Sequence, residues 1–217
     1  MLFQDRPDAG AKLARKLLTY AGRPDVIVLA LPRGGVPVAF PVAETLNAPL
    51  DVFIVRKLGV PGHEEMAMGA IASGGVRVLL PEILRQLNIQ PQQVEQVAEV
   101  ELRELHRREW LYRGNLPRSD LRGKTVILVD DGLATGASMR AAVMALRQQT
   151  PARIVVAVPV ASSETCDDLR DEVDDIVCAV TPEPFDAVGL WYRDFSQTTD
   201  DEVRDLLARS RAFSTAH

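Results

Sequence analysis

Short, continuously apolar runs recur along the chain, separated by amphipathic stretches. "DVIVLAL" (25–31), "LDVFIVRK" (50–57), residues 125–130, "RIVVAVPVA" (153–161) and "DIVCAV" (175–180) are rich in β-branched residues. That is the pattern of strands covered on both faces. Ahead of the first run, Ala11, Leu13, Ala14, Leu17, Leu18 and Ala21 recur at helical spacing and predict a helix over 9–21. "VPVAFPVAETLN" reads as a helix with Pro37 in its first turn, and further helices are expected over 138–149 and from Ser162. Strands alternating with helices imply an α/β fold with a doubly wound, mainly parallel sheet flanked by helices. Such a sheet binds ligands beyond the carboxyl ends of its strands, where the strand order switches direction.

Three segments depart from this rhythm. The glycine-bearing "LGVPGHEEMAMG" reads as a long loop, followed by two short strands, "AMGAIAS" and "VRVLL", joined by Gly74 and Gly75. Residues 81–116 form a helical insertion, a short helix and then one long amphipathic helix rich in Glu, Gln and Arg. Its stripe runs through Val94, Val97, Val100 or Glu101, Leu102 and Leu105. Dimer arm, lid and hood extension all remain open for it, and the stripe suits a partner helix in a homodimer. Residues 182–217 gather Phe185, Trp191, Tyr192 and Phe195 ahead of a closing helix capped near Thr199 or Asp200. A single domain over 1–217 is expected.

With 217 residues, 47% of them hydrophobic, the chain can bury a full core. A net charge of -5 argues against a general nucleic-acid binder, whose affinity rests on a basic face. It leaves room for a local basic pocket. Cys166 and Cys178, outside any CxxC pair, read as buried reduced thiols and not as a disulfide or zinc site. No apolar run approaches the ~20 residues that cross a bilayer. The N-terminus shows no signal-peptide core, and Asp5 and Asp8 spoil a transit peptide. A reducing, cytoplasmic setting is expected.

The chemistry concentrates in "VILVDDGLATGAS" (126–138), an apolar strand ending in two acids, then a small-residue loop and a helix. Backbone N–H groups in such a loop, with the helix dipole behind them, suit a phosphate, and the Thr135 and Ser138 hydroxyls add donors. Carboxylates beside a phosphate would repel it unless a sugar lies between, offering vicinal hydroxyls to Asp130 and Asp131. The combination describes ribose 5-phosphate. No GxxxxGK[ST] or GxGxxG is present, and "HEEMA" around His63 lacks the second histidine of HExxH.

This stretch resembles the phosphoribosyl pyrophosphate motif of the type I phosphoribosyltransferases. "LPRGG" (31–35) is similar to the family's pyrophosphate loop, and "VRKLGVPGHEEMAMGA" to its strand end and mobile catalytic loop. "LPRGGVPVA", "RKLG" and "DDGLATGA" together resemble a less characterised branch.

The resemblance implies transfer of a 5-phosphoribosyl group from phosphoribosyl pyrophosphate to a small nitrogenous acceptor, with Mg²⁺ as cofactor. It assigns Lys57, Asp130 and Asp131 to catalysis, the two acids also touching the metal, mostly through ribose and pyrophosphate. Substrate binding falls to Arg33, Gly34, Gly35, Arg56, Ala134, Thr135, Gly136, Ala137 and Ser138, with Trp191 as the residue that stacks on the base. Gly34 and Gly35 are expected to expose backbone N–H groups, with a non-proline cis peptide at or near Pro32–Arg33. Closure of 58–70 would exclude water, and Glu65 is a weaker candidate for that loop's acid. Two alternatives are a regulator that binds phosphoribosyl pyrophosphate with little or no catalysis, and a phosphoacceptor signalling domain.

Overall fold

The computed structural model describes residues 2–214. Five strands form one parallel sheet: β1 (Val26–Ala30), β2 (Leu50–Val52), β6 (Thr125–Val129), β7 (Arg153–Val160) and β8 (Asp175–Val180). Their order is β2-β1-β6-β7-β8. The chain winds outward to β2 on one side of β1, then returns to build β6, β7 and β8 on the other. The switch point therefore lies between β1 and β6.

Every residue of β1 and β6 is buried, because side chains alternate between two covered faces. Val28, Ala30, Ile127 and Val129 join a core with α1 (Arg6–Ala14), α2 (Gly35–Leu46), α4 (Pro91–Arg113) and α7 (Asp200–Ser214). Their neighbours Ile27, Leu29, Val126 and Leu128 join a second core with α5 (Ala137–Arg147) and α6 (Ser163–Arg170).

The first helix starts three residues earlier than its apolar periodicity indicates. Asp5 caps it by accepting from the Asp8 N–H at 2.8 Å, and it ends at Ala14 before a 3-10 turn at Leu18–Tyr20. That early start puts Arg6 in the first helical turn.

The run 50–57 is not one strand. β2 stops at Val52, Phe53 still donates to the Ala30 carbonyl, and at Ile54 the chain changes partners, accepting from the Ser73 N–H at 2.8 Å. Continuous apolarity marks burial without saying which strand is the neighbour. The following loop is a correction too, because β3 (Val55–Val60) and β4 (His63–Ala72) form a hairpin turning at Pro61–Gly62, with its register shifted around Gly59. With β5 (Val76–Leu79) they make a separate antiparallel sheet, β3-β4-β5.

The 81–116 segment holds α3 (Pro81–Gln86) and α4, short then long as the sequence indicates. Val94, Ala98 and Leu105 pack into this chain's own core, with Val97 and Leu102 beside them. The stripe therefore gives no argument for a partner helix. The end of α4 is fixed to β2 by buried charge: Arg113 lies 2.8 Å from Asp51 and 3.2 Å from Glu109, and donates to the Val52 carbonyl.

The cysteines are a further correction. Cys166 on α6 and Cys178 on β8 are joined in a disulfide. A crossover helix folds back onto the strand that follows it, which brings together two positions whose linear spacing carries no pairing signal. No helix among the described residues is long and apolar enough to cross a membrane.

Candidate functional site

The loops that leave β1 and β6 meet at the switch point. Leu31 donates to the Val129 carbonyl at 2.9 Å, and the next bond but one, Pro32–Arg33, is cis. A Cβ on Gly34 would lie 2.1 Å from Asp131 Oδ2, and one on Gly35 would lie 2.7 Å from the Val129 carbonyl oxygen. The two glycines thus let one loop abut the acid pair, and the Gly35 N–H is occupied by the Leu31 carbonyl at 3.0 Å. Exposure of both N–H groups, expected from sequence, does not hold at Gly35.

Asp130 and Asp131 occupy different surroundings. The Asp131 N–H donates to Asp130 Oδ1 at 2.8 Å, while Asp131 Oδ2 accepts from Arg6 Nε at 2.8 Å. Burial pushes Asp130 well above the usual carboxylate range, and the Asp131 charge adds to that. Burial also raises Asp131, with the Arg6 guanidinium pulling the other way. Arg6 in turn donates to the Ser196 carbonyl at 2.7 Å and stacks 4.0 Å over the Phe195 ring. The Tyr192 hydroxyl donates to the Asp131 carbonyl at 2.6 Å.

Beyond the acids the chain turns through Ala134, Thr135, Gly136, Ala137 and Ser138 into α5. Gly136 has φ 69°, a left-handed conformation that glycine adopts at little cost. The loop is tethered below: Leu133 donates to the Val160 carbonyl at 2.9 Å, and Thr165 Oγ1 donates to the Ala134 carbonyl at 2.7 Å. The upper surface is open, forming a cleft of about 190 Å³ lined by Asp130, residues 132–139 and Val188. Asp130 and the whole small-residue loop therefore share one cavity.

Other sequence-derived residues lie elsewhere. Arg56 pairs with Glu101 of α4 at 2.6 Å, and Lys57 Nζ donates to the Glu65 carbonyl at 3.0 Å. Both line a second cleft, of about 300 Å³, with Gly59, Pro61, Glu64, Val97 and Glu101. Arg33 Nη1 is 3.8 Å from Asp200 Oδ1. Trp191 packs against the cluster of Phe3, Ala9, Val160 and Tyr192, its indole nitrogen buried and without a partner among the described residues. It is Val188, from the same 3-10 turn, that faces the cleft, so close to the acids that a Cβ on Gly132 would lie 2.5 Å from its Cγ1. The closing helix starts at Asp200 with Thr199 Oγ1 accepting from the Glu202 N–H at 3.1 Å; residues 215–217 of the 182–217 segment lie outside the described residues.

Sequence reasoning missed Arg6, Tyr192 and Val188. A lone arginine near the N-terminus carries no local pattern, and its partners stand 125 and 190 residues away. Tyr192 is visible within the aromatic cluster, but its hydroxyl contact with residue 131 is a product of the fold.

A parallel sheet with an acid pair and a small-residue loop at its switch point defines the class of α/β proteins that bind ligands at strand ends. The model of the phosphoribosyl transferase domain matches residues 3–189, and the chain belongs to that family. Two Mycobacterium tuberculosis proteins, from strains CDC 1551 and H37Rv, are each 45% identical over 99% of this chain and carry an inferred designation as phosphoribosyl transferases. The chain spans 48% of their length, about half of each relative. The crystal structure of TT1426 from Thermus thermophilus has a TM-score of 0.86 at 44% identity, covering 96% of this chain and 99% of that one. A Neisseria gonorrhoeae protein crystallised with bound ppGpp shares the fold, with a TM-score of 0.50 at 15% identity over 97% of this chain and 99% of its own.

Proposed function

We propose that the chain transfers the 5-phosphoribosyl group from phosphoribosyl pyrophosphate to a nitrogenous, base-like acceptor and releases pyrophosphate. The observation that carries this reading is the single cleft shared by Asp130 and the 132–139 loop, flanked by the 31–35 loop. In it, the N–H groups and hydroxyls of Thr135 to Ser138 bind the 5-phosphate, while Asp130 and Asp131 accept hydrogen bonds from the ribose hydroxyls. The acceptor nitrogen bonds to C1 as the bond from C1 to the diphosphate oxygen breaks. Positive charge grows on the ribose and negative charge on the leaving group, so a fixed cation beside the diphosphate, Arg33, stabilises the transition state more than the ground state. Lys57, on the β3–β4 hairpin, comes to the diphosphate if the hairpin closes over the site and excludes water, a rival nucleophile.

The acid pair also fits Mg²⁺, a hard ion that takes oxygen ligands and keeps several from substrate and water. Asp130, which lines the cleft, and Asp131 beside it are the protein oxygens we assign to hold it. When bound, Mg²⁺ supplies charge that stabilises the departing diphosphate oxygens. The test is a pyrophosphate-release assay with phosphoribosyl pyrophosphate, Mg²⁺ and a panel of free bases. Release with one base supports the transferase and names the acceptor; tight donor binding without release by any base would make the chain a regulator.

A further inference from the structure

The long helix α4 touches the counter-ion of Arg33. Tyr112, one residue before its end, has a buried ring and donates its hydroxyl to Asp200 Oδ1 at 2.6 Å. The same oxygen stands 3.8 Å from Arg33 Nη1, outside hydrogen-bond length. Asp200 opens α7, where its charge suits the positive end of the helix dipole. It is partly exposed, as is Arg33, and among the described residues the phenol is the side chain that a hydrogen bond joins to its carboxylate.

We propose that Tyr112 is a positioning residue for the diphosphate subsite: its hydroxyl holds the Asp200 carboxylate back from Arg33, so that Arg33 is aimed by charge yet keeps its donors for the ligand. The proposal rests on Arg33 serving the diphosphate. A carboxylate free to swing about an ångström closer would form a charge-assisted hydrogen bond with the guanidinium, and an incoming diphosphate would have to break it. Held where it is, Asp200 attracts Arg33 without capping it. The phenol is a dependable donor, since burial and the Asp200 contact push its ionisation far above neutral pH. This gives the 81–116 segment a task in the reaction, as the carrier of the restraint on Arg33's counter-ion.

The test is calorimetric titration of inorganic pyrophosphate into the intact chain and four variants. Tyr112→Phe keeps the buried ring and should weaken binding by about three- to tenfold, the range of one contact to a charged group. Asp200→Asn removes both the aiming and the competing charge, effects of opposite sign, and should change affinity less than Tyr112→Phe does. In the Tyr112→Phe/Asp200→Asn double variant the tyrosine effect should vanish, because the group it restrains is gone. Tyr20→Phe removes a similar hydroxyl, donated to Asp175 at 2.8 Å at the amino end of β8, and should change nothing. Equal weakening by Tyr112→Phe in both backgrounds, or none in either, overturns the proposal while leaving the diphosphate reading intact. Failure of the parent to bind pyrophosphate overturns both.

Discussion

Arg6 Nε sits 2.8 Å from Asp131 Oδ2, so the first helix of the chain supplies the counter-ion for the acid pair at the end of β6. Both side chains are largely withdrawn from solvent, at 10% and 18% exposure, which makes this pair far less screened than the surface ion pairs of α4. The same guanidinium reaches the Ser196 carbonyl and the Phe195 ring, and so links the acids to the aromatic segment before α7. Arg6→Ala is expected to weaken phosphoribosyl pyrophosphate binding by about tenfold to a hundredfold, since it leaves a partly buried carboxylate unpaired. Arg6→Lys should recover only part, because an ammonium cannot serve Asp131, Ser196 and the ring at once. Unchanged affinity in Arg6→Ala, measured by calorimetry, would remove Arg6 from the site.

Asp130 should exchange stability for function. Its carboxyl titrates above the ordinary value because burial and the Asp131 charge disfavour the anion. An acid raised in the folded state favours the fold while protonated, and that contribution is lost as pH rises through the raised value. The ligand-free protein should therefore gain stability from this group as pH falls through that raised value. Asp130→Asn should raise the thermal midpoint at pH 7 while lowering turnover by roughly a hundredfold through misplaced ribose. A lower midpoint for the variant, in melts from pH 5 to pH 8, would contradict the assignment.

Gly34→Ala should damage the site through contact. Its Cβ would meet Asp131 Oδ2 at 2.1 Å, whereas Gly22, at φ 68°, has nothing within 4 Å of a Cβ. Both substitutions are expected to cost about 1–3 kcal/mol, one by overpacking and one by backbone strain. Only Gly34→Ala should also reduce donor binding, and equal donor affinity in the two variants would show that the loops do not need to abut.

Arg113→Ala should destabilise the fold by about 3–5 kcal/mol, because it leaves buried Asp51 without its cation and Glu109 with Arg118 alone. Urea unfolding reads this directly. A loss below about 1 kcal/mol, the scale of a surface pair, would mean that the cluster does not anchor α4.

The parallel sheet was legible because β1, β6 and β7 are covered on both faces, and burial writes itself into unbroken apolar runs. The 126–138 stretch was legible because its strand, acids, loop and helix are contiguous. Contacts that join distant segments were not. Arg6 finds Asp131, and Tyr112 finds Asp200, only after the chain has folded. The β3–β4 hairpin was hidden for another reason: Gly59 marks a register shift and Gly62 a turn, yet both look like loop punctuation in a list of residues. The Cys166–Cys178 bond was missed because α6 folding back onto β8, and not sequence spacing, pairs them.

The central claim is that the cleft lined by Asp130 and residues 132–139, beside the 31–35 loop, binds phosphoribosyl pyrophosphate. Calorimetric titration of that compound, with Mg²⁺, into the parent and Asp131→Asn tests it most directly. The parent should bind one equivalent per chain, with affinity reduced about tenfold or more in the variant. Absence of binding by the parent, or equal affinity in the two proteins, would contradict the account.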